Sequence, residues 1–300
     1  MTRRTKAIKV SHFSKSFADK EVVRDLSFEV FKGETFAFLG TNGSGKTTTI
    51  RTLIGVYQPT SGQLNIAGQK QARELGRIVG YLPEERGLYL NSKVLETMVY
   101  FGQLKGLSAQ RARQRALKYL DRVGLKDKQD LIIKRLSSGQ QQKIQLGITI
   151  INDPQILILD EPMKGFDPLN RELFLDILFE HKKKNVTIVF TTHEMDETEK
   201  IADRIMIIKN GERKMYGNLE EIKKTFQGDR INIHFTGKLP KSKLYEAYTE
   251  KHYAELTPKP GVKSDQILSY LIDNKVHLDK FEIAGPSLNE IFLKVSKQDQ

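Results

Sequence analysis

Thr35-Phe-Ala-Phe-Leu39-Gly40-Thr41-Asn42-Gly43-Ser44-Gly45-Lys46-Thr47-Thr48 is the stretch on which the fold turns. A strand-sized apolar run enters a glycine-rich turn. From Thr47 the apolar positions Ile50, Leu53 and Ile54 recur at helical spacing until Gly55 offers a C-terminal cap. Gly40 to Thr47 has the spacing G-x-x-x-x-G-K-[ST] of a phosphate-binding loop, and it lies between a buried strand and a helix, as such a loop requires. Glycines let successive backbone amides point inward at phosphate oxygens, Lys46 adds a positive charge at the β and γ groups, and the Thr47 hydroxyl is a ligand for Mg²⁺. The N-terminal end of the helix adds its partial positive charge.

Outward from that loop the chain alternates strand and helix signals. Upstream, Ile8, Val10 and then Val22 to Val30 alternate apolar and polar positions, as strands with one buried face do. Downstream, Val94 to Val123 has helical spacing, with Ser108 as an N-cap and a basic face at Arg111, Arg113, Arg115 and Lys118. That face is either solvated or a site for lipid headgroups or a partner. A second helix is expected near Gln140. Ile156 to Leu159 and Val186 to Phe190 are continuous apolar runs, typical of strands buried on both faces, and a helix over 170–183 between them implies a parallel crossover. The core is therefore α/β. Ile205 to Lys209, Asn210-Gly211 and Glu212 to Met215 predict a hairpin, with a short helix after it near Leu219 to Phe226.

After Gly228 the character changes: a strand at Ile231 to Phe235, helical stretches around Leu244 and from Ile267 to Ile272, a strand near Phe281, and a capping box at Ser287 to Glu290. We expect a small α+β domain there.

The run Ile156 to Leu159 delivers Asp160-Glu161. A buried strand ending in two carboxylates suits Mg²⁺ binding through Asp160 and orientation and deprotonation of an attacking water by Glu161. Other residues stay open on general grounds. Ser137 and Gly139 at a helix N-terminus fit either a cap or a phosphate site, His193 at a strand end is structural or functional, and Phe17 serves equally as packing or as a base platform.

Leu136-Ser137-Ser138-Gly139-Gln140, about twenty residues before Asp160, resembles the signature motif of the ATP-binding-cassette (ABC) family. The resemblance runs from about Ile8 to Phe226. It implies that Phe17 stacks on adenine, that Asp167 in Gly165-Phe-Asp-Pro168 is the D-loop aspartate, and that His193 in Thr191-Thr-His-Glu194 is the switch histidine. The expected cofactors are ATP and Mg²⁺, with the nucleotide held by Phe17, Gly40 to Thr48, Ser137, Gly139, Gln140 and Asp167. The metal would fall to Thr47, Asp160 and Glu84, and the chemistry to Lys46, Glu84, Glu161 and His193. The implied fold is a P-loop NTPase (RecA-like) α/β core with an N-terminal antiparallel β subdomain and a helical subdomain at about 85–152. Residues 1–228 would form the ATP-binding domain and 229–300 the α+β accessory domain.

The sequence also departs from the family pattern. Glu84 in Tyr81-Leu-Pro83-Glu84-Glu85-Arg86 occupies the usual glutamine position, where a carboxylate adds negative charge beside the triphosphate unless it is an ordinary exposed loop residue. Ser138 replaces a signature glycine, and Met163-Lys164 replaces small residues before the D-loop.

Because phosphate loop and signature lie on one chain, the resemblance implies two copies head to tail with ATP between them, a homodimer or a heterodimer with a related chain. The Tyr81 to Tyr89 stretch and the ending Pro286 to Leu293 are similar to the bacterial drug- or sodium-efflux branch. That implies the energy subunit of an exporter, driving a separate integral-membrane permease from the cytoplasmic face of the membrane. The alternative is a soluble ABC ATPase acting on ribosomes or nucleic acid. No nucleic-acid signature accompanies the basic helix, so no specific nucleic-acid partner is expected.

Composition sets the outer bounds. With 38% apolar and 29% charged residues among 300, the chain has enough apolar material for a core. Zero cysteines exclude disulfides and a thiol nucleophile. Lys+Arg 49 minus Asp+Glu 37 gives a net charge of +12, which attracts anions of any kind. No apolar run approaches the ~20 residues of a membrane helix, and the basic start Met-Thr-Arg-Arg-Thr-Lys lacks the apolar region of a secretory signal, so we expect a cytosolic chain.

Overall fold

The computed structural model describes residues 4–68, 72–85, 87–226 and 230–297. Arg86 and Gly228, both singled out in the sequence, lie outside them. The chain divides into two compact units, Met1–Gly217 and Asn218–Gln300. The division thus falls eleven residues before the shift in character at Gly228, and the short helix after the hairpin goes with the second unit.

The first unit opens with β1 (Lys6–Phe17) and β2 (Lys20–Phe31), followed by β3 (Thr35–Leu39), α1 (Lys46–Leu53) and β4 (Ser61–Ile66). β1 is the middle strand of an antiparallel sheet ordered β2-β1-β4. Next come α2 (Ala72–Ile78), β5 (Val79–Leu82), α3 (Val94–Leu104), α4 (Ala109–Arg122) and α5 (Ser138–Ile150). β6 (Ile156–Asp160), α6 (Pro168–Lys183), β7 (Thr187–Thr192), α7 (Met195–Ile201), β8 (Arg204–Lys209) and β9 (Glu212–Asn218) complete it. Six strands form one sheet in the order β5-β6-β7-β3-β8-β9, and the pairs from β5 through β8 are parallel.

β3, β6 and β7 are buried along their whole length, which is why they read as unbroken apolar runs rather than alternating ones. The antiparallel sheet is joined to the parallel one by aromatic packing. Phe28 of β2 meets Phe38 of β3 edge-on, with ring centroids 5.1 Å apart, and stacks at 6.0 Å on Phe36. Phe36 and Phe38 are fully buried, and truncating either to alanine costs about 3–5 kcal/mol by the usual measure of large core aromatics. Asn210 (φ 52°) and Gly211 (φ 79°) both take the positive φ angles of the predicted tight hairpin. The stretch Val94 to Val123 resolves into α3 and α4, and the Ser108 hydroxyl accepts from the Arg111 amide as the N-cap of α4. Among the described residues, no helix is long and apolar enough to cross a membrane.

The parallel order decides where chemistry is possible. β3, β6 and β7 end at the same edge, with Leu39 beside Thr192 and Asp160 beside Thr191. The residues that follow those strand ends therefore converge, as at the carboxyl ends of other open α/β sheets.

The second unit contains α8 (Leu219–Thr225), β10 (Arg230–Thr236), β11 (Tyr245–Glu250), β12 (Tyr253–Pro258), α9 (Ser264–Asp273), β13 (His277–Ala284) and α10 (Leu288–Lys297). Its antiparallel sheet runs β11-β12-β10-β13 over a core of Ile231, Ile233, Phe235, Leu256, Ile267 and Leu271. The predicted α+β character holds, and Ser287 and Glu290 form the predicted capping box. One expectation is corrected: the stretch after Leu244 is a strand, not a helix. Tyr245 points into the core and the residues after it pair with β12, through a turn at Lys251-His252 with Lys251 at φ 39°.

Candidate active site

The loop from Gly40 to Thr48 wraps a cleft of about 210 Å³ lined by Asn42 to Thr48, Val22, Glu84 and Glu161. Two of its glycines are obligatory. A Cβ on Gly40 would stand 2.4 Å from the Ile208 carbonyl and 2.5 Å from the Ser44 hydroxyl, and Gly45 holds φ 106° as it enters α1. Lys46, only 6% exposed, donates from Nζ to the carbonyls of Gly40 (2.8 Å) and Thr41 (3.2 Å) and stands 3.6 Å from Glu161 Oε1.

Across the cleft β6 delivers Asp160 and Glu161. Asp160 Oδ1 accepts from the Thr47 hydroxyl at 3.0 Å and from the Thr191 hydroxyl at 2.6 Å. Burial pushes the Asp160 carboxyl above the ordinary carboxylate range, against the two hydroxyl bonds that pull it down, and the charges of Glu84 and Glu161 add to the rise. Thr191 also accepts from the Glu161 amide at 2.9 Å, so one hydroxyl fixes both acidic residues. Glu161 holds φ 47°, a left-handed conformation that is strained for a glutamate. Its Oε2 lies 2.9 Å from His193 Nδ1, which brings the histidine after β7 onto the Glu161 carboxylate.

The remaining predicted residues occupy the flanks. Glu84 lines the cleft and forms an ion pair with Lys164 at 2.6 Å. Phe17 ends β1 outside the cleft lining; its ring meets Tyr57 edge-on at 5.1 Å and lies under Lys15 Nζ at 4.7 Å. Ser137 caps α5, accepting from the Gln140 amide while Gln140 Oε1 accepts from the Ser137 amide. The Gln140 side chain is thus spent on the capping box. Gly139 is the second residue of the same helix. Asp167 caps α6, accepting from the amide and side chain of Asn170. No described contact ties Ser137, Gly139 or Asp167 to the cleft of their own chain.

Sequence reasoning missed Thr191, Tyr57 and Arg171. Arg171 donates to the Phe166 carbonyl and pairs with Glu194 (2.7 Å) and Glu197 (3.0 Å), linking the loop before Asp167 to the residue after His193. Its signal was an arginine near the start of a helix, too common to act on.

The donor set fits a magnesium-bound nucleoside triphosphate. Ser44 Oγ, Asp160 Oδ2 and Glu161 Oε1 are buried without a hydrogen-bond partner among the described residues. Buried polar atoms are seldom left so, and three at one cleft mark a place built for polar ligands. Thr47, Asp160 and Glu84 offer the hydroxyl and carboxylate oxygens with which Mg²⁺ is held jointly with substrate phosphates.

Comparison with known proteins agrees with that geometry. Residues 23–164 match the family described as ABC transporter, and residues 217–296 match the family described as ATP-binding protein DrrA1-3-like, C-terminal domain. An uncharacterised ABC transporter ATP-binding protein of Methanocaldococcus jannaschii is 40% identical over 215 residues, covering 72% of this chain and 79% of that one. A linearmycin resistance ATP-binding protein of Bacillus subtilis is 32% identical over 227 residues, covering 75% and 73% respectively. The solved structure of an ATP-binding subunit of an ABC transporter matches with a TM-score of 0.69 at 30% identity, over 73% of this chain and 93% of that one.

Proposed function

The chain belongs to the ABC transporter ATP-binding family, and from that premise we propose that it is the energy subunit of a membrane exporter, driving a separate permease by ATP-dependent dimer closure. It is an ATPase subunit of a transporter. The observation that carries the mechanism is the junction of Lys46, Asp160, Glu161 and His193 at one sheet edge.

The chain's own groups perform the chemistry as follows. Lys46 exchanges the Gly40 and Thr41 carbonyls for the β- and γ-phosphates, with the loop amides around it. Glu161 orients the attacking water and takes its proton. His193, bonded to the other carboxylate oxygen, holds that base in place. Mg²⁺, when bound by Thr47, Asp160 and Glu84, supplies charge neutralisation at the phosphate oxygens. Ser137 and Gly139 face the γ-phosphate of a second copy, which accounts for their lying off the cleft of their own chain. Loss of that phosphate removes the bridge between the two copies, and the dimer reopens.

Export is supported by the resemblance of the second unit to DrrA1-3-like C-terminal domains and by the linearmycin-resistance relative. Docking on a permease from the cytoplasmic face is supported by the exposed Tyr89, Leu90, Tyr100 and Leu104 on and beside α3. Glu161→Gln should still bind MgATP while turnover falls roughly 10²- to 10⁴-fold, the usual worth of a general base; retained turnover would remove Glu161 from that role. Gentle detergent extraction of the tagged chain from native membranes should recover a multi-span protein in stoichiometric amount. Recovery with ribosomes or nucleic acid instead would overturn the transporter assignment.

A further inference from the structure

Both departures from the family pattern that carry charge near the cleft touch each other. Glu84 follows β5 and Pro83 and lines the phosphate cleft; Lys164 lies beyond Glu161 on the loop leading into α6. Their side chains meet at 2.6 Å, although 80 residues separate them in sequence.

The loop geometry aims Lys164 at its partner. Met163 and Phe166 are buried and anchor the segment on either side. The Lys164 amide donates to the Glu161 carbonyl and the Phe166 amide to the Met163 carbonyl. Gly165, at φ 76°, turns the exposed tip between those anchors. Asp167, the N-cap of α6, follows directly.

The charge pattern of the cleft calls for such a partner. Asp160, Glu161 and Glu84 bring three carboxylates to the region where a triphosphate must enter. Lys46 is committed to its own loop and to Glu161. Lys164 is the cation that meets Glu84. A pair this exposed, at 57% and 33%, contributes little to fold stability, so it exchanges easily.

We propose that Lys164 is a positioning residue: it holds Glu84 as a neutralised pair in the nucleotide-free chain and releases it to the metal when MgATP enters, freeing the loop that leads to Asp167. The inference rests on the cleft being an ATP site. It makes Lys164 the residue that sets how strongly nucleotide affinity depends on Mg²⁺. Without Lys164, the uncompensated Glu84 repels metal-free triphosphate, while metal-bound triphosphate arrives with its own countercharge.

The test titrates the full chain with a non-hydrolysable fluorescent ATP analogue in excess Mg²⁺ and again in excess chelator. Lys164→Ala should weaken binding in chelator on the order of tenfold, the size of one uncompensated charge at partly screened range, and leave binding in Mg²⁺ within about twofold. Adding Glu84→Gln to that variant should restore the chelator affinity, and Lys164→Arg should behave as wild type. Raising the salt should shrink the difference. An unchanged ratio of the two affinities in Lys164→Ala, or a double variant that is not rescued, would overturn the inference while leaving the ATP site standing. A wild-type chain that bound no nucleotide in either condition would overturn the site and the inference together.

Discussion

Thr191 shows how much of the site hangs on one buried hydroxyl. It donates to Asp160, accepts from the Glu161 amide, and is fully buried, so water cannot replace it. Thr191→Val keeps the shape and removes the hydroxyl; Asp160 Oδ1 keeps its bond from Thr47 at 3.0 Å and the Glu161 amide keeps the Thr191 carbonyl at 3.1 Å, so the loss is that of ordinary hydrogen bonds, about 0.5–1.5 kcal/mol each. Thr191 is also the first of the two bonds that restrain the rise of the Asp160 carboxyl. Its loss should push that acid further up, and the acidic limb of the turnover profile should move to higher pH. Calorimetry and a pH–rate profile check both effects; a variant with the wild-type melting temperature and an unmoved acidic limb would show that the hydroxyl is dispensable. The sequence displayed Asp160, Glu161 and His193 because each stands at the end of an apolar run. The role of Thr191 and the pairing of Lys164 with Glu84 stayed hidden for a physical reason: the partners lie 31 and 80 residues away and meet only through the parallel register and the loop turn.

At the scale of elements, α5 carries the signature at its start and is held at its other end by cations. Lys105, at the C-terminal end of α3, donates to the carbonyls of Ile148 and Thr149, and Arg115 of α4 donates to that of Ile151. These groups satisfy the carbonyls that a helix end leaves free. Burial pulls the Lys105 ammonium down to about 8 from an ordinary 10.5. Between those values the unfolded chain binds the proton and the folded chain does not, so this residue's contribution to stability rises with pH across that window. The difference in melting temperature between wild type and Lys105→Met should therefore shift in favour of wild type as the pH is raised from about 8 towards 10.5. A difference that stays constant would mean that Lys105 titrates as an exposed lysine. Elements with strong periodicity, such as β3, α1, β6 and α6, were legible from the sequence. β4, with Ser-Gly-Gln-Leu-Asn-Ile, and the short α2, β5 and α7 were not, because few apolar residues mark them and their places are set by tertiary pairing. Two of the hairpins make the same contrast: Asn210-Gly211 announces its turn chemically, whereas Lys251-His252 reaches positive φ at Lys251 without any such signal and leaves β11 readable as a helix.

At the scale of the whole molecule, the two units have separate hydrophobic cores, one drawn from residues between Ala7 and Ile208 and the other from Ile231 to Val276. All six strands of the parallel-centred sheet, the phosphate loop and the α5 N-terminus belong to the first. If dimer closure is the pairing of the loop around Lys46 with Ser137 and Gly139 of another copy, the contacts it needs are all in that unit. A chain cut after Asn218, where β9 ends and α8 begins, should therefore fold and bind ATP. In the Glu161→Gln background, where hydrolysis cannot reopen it, the truncated protein should double in mass on addition of MgATP, as read by light scattering on a sizing column. A truncated protein that binds MgATP yet stays monomeric, beside a full-length chain that dimerises, would move the dimer contacts to the second unit and make that α+β domain a structural part of the motor.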